Sequence, residues 1–290
     1  MKSLKKFIYI SIATAVTTIV LKYSAYLLTG SMGLFSDALE SCVNLVAAIV
    51  ALFMITLSEK PADEGHQFGH SKAEYFSSAI EGGLIVLAAF SIVWSAVPKL
   101  LHPQEIENIG IGLMISLGAS CLNLAVALIL IKNGKKHHSI TLEADGKHLM
   151  TDVWTSVGVL IGIGLVKFTG WLILDPIIAI LVAINIVWTG YQLMKRSANG
   201  LLDSVIPTEE QLKIIQELEL LKKVGVEYNS LMTRQAGQDK FIMFHLLMPN
   251  SWSIKEGHDK TNFVENKIRA IFDGKVHIFV HIEPIQNSDS

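Results

Sequence analysis

Long apolar runs separated by short polar stretches fill the first two thirds of the chain. Six are long enough to cross a bilayer as helices: Phe7–Leu28, Ser31–Leu57, Glu74–Leu100, Ile109–Ile131, Ile140–Phe168 and Trp171–Met194. Beyond Pro207 the period changes. "TEEQLKIIQELELLKKV" repeats at helical spacing, and Thr208 followed by Gln211 resembles a capping box. "VEYNSLMTRQ" and "KFIMFHLLMP" read as strands around the turn "AGQD"; "IKEGHDKTNFVENKIRAIF" reads as a second helix and "KVHIFVHIEP" as a last strand. The pattern predicts a polytopic α-helical membrane protein. Residues 1–206 form six transmembrane helices, and residues 207–290 form a small α+β domain with helices on one face of a sheet.

Charge sharpens that division. Charged residues are sparse between Phe7 and Met194 and dense from Asp203 onward, while 51% of all residues are hydrophobic. A net charge of −2, with no basic patch interleaved with aromatics, argues against a nucleic-acid partner. Cys42 and Cys121 both sit in apolar runs, so no disulfide framework or paired-cysteine metal motif is expected. The basic start "MKSLKKFIYISIATAV" is signal-like, but its apolar run continues to Leu28 and is read as the first span. Lys2, Lys5, Lys6, Lys60, Lys72, Lys132, Lys135, Lys136, Lys195 and Arg196 fall in one set of connections. The alternate set holds only Lys99 and Lys167, so the positive-inside rule places both termini in the cytoplasm.

Against this background the intramembrane acids stand out, because an acid at the bilayer centre costs roughly 2.5–3.5 kcal/mol on insertion scales. In "SDALESCVN", Asp37, Glu40 and Asn44 are spaced i, i+3, i+7 on one face of the second span. In "ADGKHLMTD" of the fifth span, Asp145, His148 and Asp152 repeat that spacing. Three segments separate the two helices, so they run antiparallel, as in an inverted repeat. Glu40 lies about nine residues from one end of its span and His148 about eight from the other, which puts both near the bilayer middle at roughly 1.5 Å per residue. Glu40 with Asn44 and His148 with Asp152 would form a four-ligand cage of nitrogen and oxygen. Such a cage suits Zn²⁺, with Fe²⁺, Co²⁺ and Mn²⁺ as alternatives. A lone intramembrane His or Asn is more often a helix–helix hydrogen-bond partner, and Asn123 is assigned that role. Two matched triads at one depth favour ligands. Asp37 and Asp145 are left to orient ligands or line the vestibule.

Two further clusters lie outside the spans. In "PADEGHQFGHSKAE", Asp63, His66 and His70 could form a three-ligand site, although a solvated polar loop fits the spacing equally well. In the last domain His245, His258, His277, His281 and Glu283 fall in or beside the predicted strands. His277, His281 and Glu283 differ by even numbers and so share one face of the final strand.

At these residues the chain resembles the cation diffusion facilitator family of divalent-metal/proton antiporters, over essentially its whole length. The motifs are "GSMGLFSDALESCVNLVAA", "PADEGHQFGHSKAEYFSSAIEG", "EADGKHLMTDVWTSVGVLIG" and "LLDSVIP". The resemblance implies six helices followed by a ferredoxin-like cytoplasmic domain. It implies a transport site at Glu40, Asn44, His148 and Asp152, a loop site at Asp63, His66 and His70, and a cytoplasmic site at a dimer interface from His245, His258, His281 and Glu283. Two departures stand out. Glu40 and Asn44 replace the Asp or His, then Asp, of bacterial zinc and iron members, and Asn229 falls where some relatives place a cytoplasmic His ligand.

The expected protein is a homodimeric efflux transporter of the inner (plasma) membrane, not an enzyme. It exchanges a divalent cation for protons: Zn²⁺ first, then Fe²⁺, Mn²⁺, Co²⁺ or Cd²⁺. A metal must displace the protons of its ligands, and His148 is the ligand best placed to exchange them at cellular pH. One rival is a membrane hydrolase using metal-activated water, disfavoured by the midplane placement and the lack of a nucleophile motif. Another is a metal-sensing or scaffold homologue without transport.

Overall fold

The computed structural model describes residues 4–29, 32–102, 110–272 and 274–285. Six long helices come first: α1 Lys5–Thr29, α2 Met32–Ser58, α3 Ala73–Leu101, α4 Gly110–His137, α5 Ile140–Thr169 and α6 Leu174–Leu201. Ser31 and Ile109, the expected first residues of two spans, lie outside the described residues. Among the described residues, α1, α2, α3, α4 and α6 each contain a stretch long and apolar enough to cross a membrane. The 30-residue α5 carries Glu143, Asp145, Lys147, His148 and Asp152 in its first half. Neighbours compensate: α5 packs against α1, α2, α3 and α4, so its polar face meets protein.

Local chemistry sets the ends and spacing of α5. Ser139 caps its start by accepting a hydrogen bond from the Leu142 amide, and Gly170, at φ 75°, stops it. The Glu74 carboxylate of α3 accepts a 2.5 Å hydrogen bond from Ser139 Oγ, so an acid sits at the positive end of α5. Arg196 of α6 pairs with the nearly buried Glu143 at 2.5 Å, and the Ser197 hydroxyl donates to the Tyr75 carbonyl. Close approach depends on missing side chains. A Cβ on Gly190 of α6 would lie 2.8 Å from the Gly82 carbonyl of α3, and one on Gly146 of α5 would lie 3.0 Å from the Ala127 carbonyl of α4. Small residues let helices pack tightly where lipid supplies no hydrophobic drive.

The chain separates into two compact units, Met1–Ala198 and Asn199–Ser290. The second contains α7 Thr208–Glu219, a 3-10 turn at Leu220–Val224, β1 Glu227–Ala236, β2 Asp239–Met248, α8 Ile254–Arg269 and β3 Val276–Pro284. The sheet order is β1-β2-β3, with β1/β2 antiparallel and β2/β3 parallel across α8. Gly237, at φ 56°, makes the tight turn that pairs Ala236 with Asp239. Alternate residues Ile242, Phe244, Leu246 and Met248 join Ile214, Leu218, Val264 and Ile268 in one core. Both helices therefore cover one sheet face, the expected α+β arrangement. On the other face Met232, Met243, Phe279 and His281 are exposed.

The capping box expected at Thr208 does not form. Pro207 occupies the cap position and its carbonyl takes the Glu210 and Gln211 amides, so Thr208 is already helical and caps nothing. The reciprocal box occurs instead at α8, between Ser253 and Glu256, where an N-cap side chain is worth about 1 kcal/mol.

Candidate metal sites

Four buried side chains meet inside the helical unit. Asn44 of α2 faces two residues of α5: its Oδ1 lies 2.7 Å from His148 Nε2, and its Nδ2 donates to Asp152 Oδ2 at 2.6 Å. An amide oxygen only accepts, so the imidazole Nε2–H is the donor. Asn123 of α4 donates to the same Asp152 oxygen at 3.0 Å. Asn44, Asn123, His148 and Asp152 are all at most 5% exposed. The i, i+4 step from His148 to Asp152 places both on the stripe of α5 that meets α2.

The structure thus brings together Asn44, His148 and Asp152 of the expected cage. Glu40 sits one turn before Asn44 on α2 and is partly buried. The side chain of Asp37 lies outside the described residues. Asn123 was assigned to a neighbouring helix; the structure adds that its partner is the Asp152 carboxylate. The available signal was a lone amide in the apolar run "CLNLAVAL".

Within the cluster, Asp152 Oδ2 accepts two amide hydrogens and the Asn44 oxygen holds the imidazole proton, while His148 Nδ1 and Asn123 Oδ1 are left without partners among the described residues. A dication at Nε2 would need the lone pair that Nε2–H occupies and would compete with two amides for Asp152 Oδ2. Binding therefore requires loss or transfer of the imidazole proton and rotation of the Asn44 amide.

The loop between α2 and α3 holds a different arrangement. Asp63 Oδ1 is 3.4 Å from His66 Nδ1, and Asp63 Oδ2 is 3.3 Å from His70 Nε2. Among the described residues, this is the one trio of His, Cys, Asp or Glu whose ligand atoms all lie within 4.8 Å of one another. The spacing left a solvated loop equally open; the fold shows that a tight turn, not a helix, gathers the three. The His66 amide donates to Asp63 Oδ1 at 2.7 Å, and Gly69, at φ 82°, donates its amide to the His66 carbonyl. That His66 amide, helped by the His70 and His66 rings, holds the Asp63 carboxyl below the usual carboxylate range despite some opposing desolvation. Asp63 and His66 are exposed, whereas the His70 side chain is 10% exposed.

In the C-terminal unit, His245 of β2 and His281 of β3 are register partners on the open sheet face. Glu283 Oε1 lies 3.1 Å from His245 Nδ1 and 3.6 Å from His281 Nε2. Asn229 of β1 is the next partner across from His245. His277, on the same face of β3, instead stacks on Phe241 at 4.6 Å. His258 is not brought to this group. It lies on α8, in the helical layer behind the sheet, with Nε2 3.1 Å from Asn262 Nδ2. Within one chain the structure therefore supplies His245, His281 and Glu283 of that set, without His258.

The chain is a polytopic helical bundle with a buried His–Asp–Asn cluster, followed by an α+β domain. The cation efflux transmembrane domain model matches residues 8–202, and the cation efflux protein cytoplasmic domain model matches residues 206–285. The chain belongs to the cation efflux, or cation diffusion facilitator, family. An uncharacterized transporter of Synechocystis is 44% identical over 97% of this chain and 90% of its own length. The cation-efflux pump FieF of Shewanella oneidensis is 31% identical, covering 95% of this chain and 92% of the pump. FieF of Klebsiella pneumoniae is 28% identical over 94% of this chain and 90% of the pump. The protein is a multi-pass cation efflux transporter of a family that moves divalent metals.

Proposed function

We propose that the chain exports a divalent transition metal in exchange for protons, with Zn²⁺ the first candidate and Fe²⁺, Mn²⁺, Co²⁺ and Cd²⁺ the alternatives. The observation that carries this reading is the buried cluster in which Asn44 bonds both His148 and Asp152. Those two donors, with Asn44 and Glu40, are the transport site. Nitrogen and oxygen ligands suit Zn²⁺. A neutral amide in place of a carboxylate lowers the cage charge and leaves room for other borderline dications.

Coupling follows from the hydrogen-bond pattern. Metal-free, the site holds a proton on His148 Nε2 and keeps one Asp152 oxygen occupied by amides. From the doubly protonated ring, metal entry at Nε2 releases one proton and leaves the neutral imidazole; a neutral ring instead moves its proton to Nδ1 and exports none. Alternating access around a fixed site then exchanges metal for protons across the membrane.

In this reading residues 1–206 are the transport domain of an inner-membrane protein with both termini in the cytoplasm. Residues 207–290 are a dimerisation and metal-binding domain of a homodimer. His245, His281 and Glu283 would hold metal on the open sheet face, with His258 reaching the site only from a second copy. Asp63, His66 and His70 would hold metal in the loop. Proteoliposomes loaded with a pH-sensitive dye test the transport reading. A gradient of Zn²⁺, Fe²⁺, Mn²⁺, Co²⁺ or Cd²⁺ should drive opposing proton movement. No flux with any of the five would leave the sensing or scaffold role in its place.

A further inference from the structure

A second pair of acids is buried in the helical unit, apart from the residues assigned to metal. Glu81 of α3 is 0% exposed and Asp145 of α5 is 2% exposed. They come from different helices but lie close enough for the Asp145 charge to act on Glu81. Each receives one weak anchor: Ser77 Oγ donates to Glu81 Oε1 at 3.2 Å, and the Ser11 hydroxyl donates to Asp145. The second oxygen of each, Glu81 Oε2 and Asp145 Oδ2, is buried with no partner. Ser78 Oγ, one turn before Glu81, and His148 Nδ1, one turn after Asp145, are buried and partnerless as well. Helical spacing places each on the side that carries its acid.

The surrounding charges do not neutralise the pair. The charged residues and histidines of the packed helices are Lys5, Lys6 and Lys22 of α1, Asp37 and Glu40 of α2, Glu74 and Lys99 of α3, Lys132, Lys135, Lys136 and His137 of α4, and Glu143, Lys147, His148, Asp152 and Lys167 of α5. Arg196 of α6 is taken up by Glu143. Among the described residues, neither Glu81 nor Asp145 has a cationic partner. Two unpaired carboxylates in a desolvated site cannot both stay charged. A metal ion would want at least four ligands, and the pair offers two free oxygens. A single proton on either acid removes the repulsion between the two charges.

We propose that Glu81 and Asp145 form a proton-binding site separate from the metal cage, and that metal arriving at His148, one turn along α5, expels this proton. The step is a simple dissociation: a carboxylic acid becomes a carboxylate, and the proton leaves as the dication adds its charge nearby. The proposal deepens the antiport reading and rests on the metal site assigned there.

Infrared spectroscopy of the purified full-length protein, free of metal and at neutral pH, reads the pair directly. Wild type should show the carbonyl stretch of a neutral carboxylic acid. Glu81→Gln should remove that band, and Asp145→Asn, by removing the neighbouring charge, should shift the pH at which it disappears. Zn²⁺ added in weak buffer should release one more proton per bound ion from wild type than from Glu81→Gln, with zinc binding retained as the check on folding. A band unmoved by both substitutions, or equal proton release, overturns the proposal. The antiport reading fails separately: liposomes that show no proton countertransport overturn it, while the band and its loss in Glu81→Gln still establish the pair.

Discussion

The helical unit carries two histidine–carboxylate clusters built from similar donors in opposite surroundings. Asn44, His148 and Asp152 are buried and bonded to one another, so His148 Nε2, the Asn44 oxygen and Asp152 Oδ2 are already engaged. Asp63, His66 and His70 lie in a loop, two of them exposed, with their ligand atoms already gathered within 4.8 Å. The buried cluster must rearrange to bind, moving the imidazole proton off Nε2 as it does. The loop cluster needs no such rearrangement, because its ligand atoms are already gathered. A site that exchanges internal bonds for an ion suits turnover, and a preformed one suits equilibrium binding. Donor type alone does not separate the two roles; burial and hydrogen-bond satisfaction do.

The largest effect should come from removing the one full charge in the buried trio. Asp152→Ala should abolish metal flux in proteoliposomes. It should still yield an inserted, folded protein, since interhelical hydrogen bonds in membranes are worth only about 0.6 kcal/mol on average and up to about 1.7. Asn44 and Asn123 would each lose an acceptor. Wild-type flux in this variant would remove the buried cluster from the transport path.

A subtler change reverses sign with pH. Asn44→Asp exchanges a donor 2.6 Å from Asp152 for a second carboxylate. Two carboxylates at that separation hold one proton between them, so the metal-free variant should bind an extra proton. Once metal enters, the added charge strengthens the cage. Protons should win below about pH 6, lowering flux relative to wild type, and metal should win near pH 8, raising apparent affinity. Flux against metal concentration at both pH values gives the answer. Superimposable curves would mean that Asn44 does not touch the ion and that the comparison needs another buried ligand.

Much of this was legible in the chain because membrane physics leaves few options. Apolar runs of fixed length mark the spans, and acids within them demand a reason. The i, i+4 step from His148 to Asp152 projects from a regular helix, so that spacing translated directly into geometry. What spacing could not give was the third helix: Asn123 lies in an otherwise apolar run, and only packing of α4 on α5 reveals Asp152 as its partner. Glu81 was hidden for the same reason, since its significance comes from Asp145 on another helix. In the loop, Gly69 and the Asp63–His66 turn replace helical periodicity with a local backbone solution that spacing does not encode. The misplaced capping box has a similar origin. Pro207 moved the helix start by one residue, and caps depend on single positions.

The smallest effect should fall on the loop, and there the comparison is sharpest. Asp63→Asn keeps an oxygen for the His66 amide, so the turn survives while the charge goes. Zinc affinity at the loop should fall roughly tenfold, as for loss of one charged ligand, and transport should change little. The pH behaviour separates the roles of its members. The Asp63 carboxyl sits below the usual carboxylate range, first because of the His66 amide and then because of the His70 and His66 rings. A lowered acid contributes fully above its ordinary pKa, and the contribution is lost only as pH falls through the lowered value, so at about pH 5 Asp63 remains charged. Asp63→Asn should weaken binding by a similar factor at each pH between about 5 and 8, without moving the pH at which zinc is lost. Titration calorimetry of the full-length protein in an Asp152→Ala, His281→Ala background, where the transport and sheet-face sites are both disabled, isolates the loop. A shifted acid limit would show that Asp63 itself titrates there. A loss of flux from Asp63→Asn alone, as large as that from Asp152→Ala, would join the two clusters into one transport path.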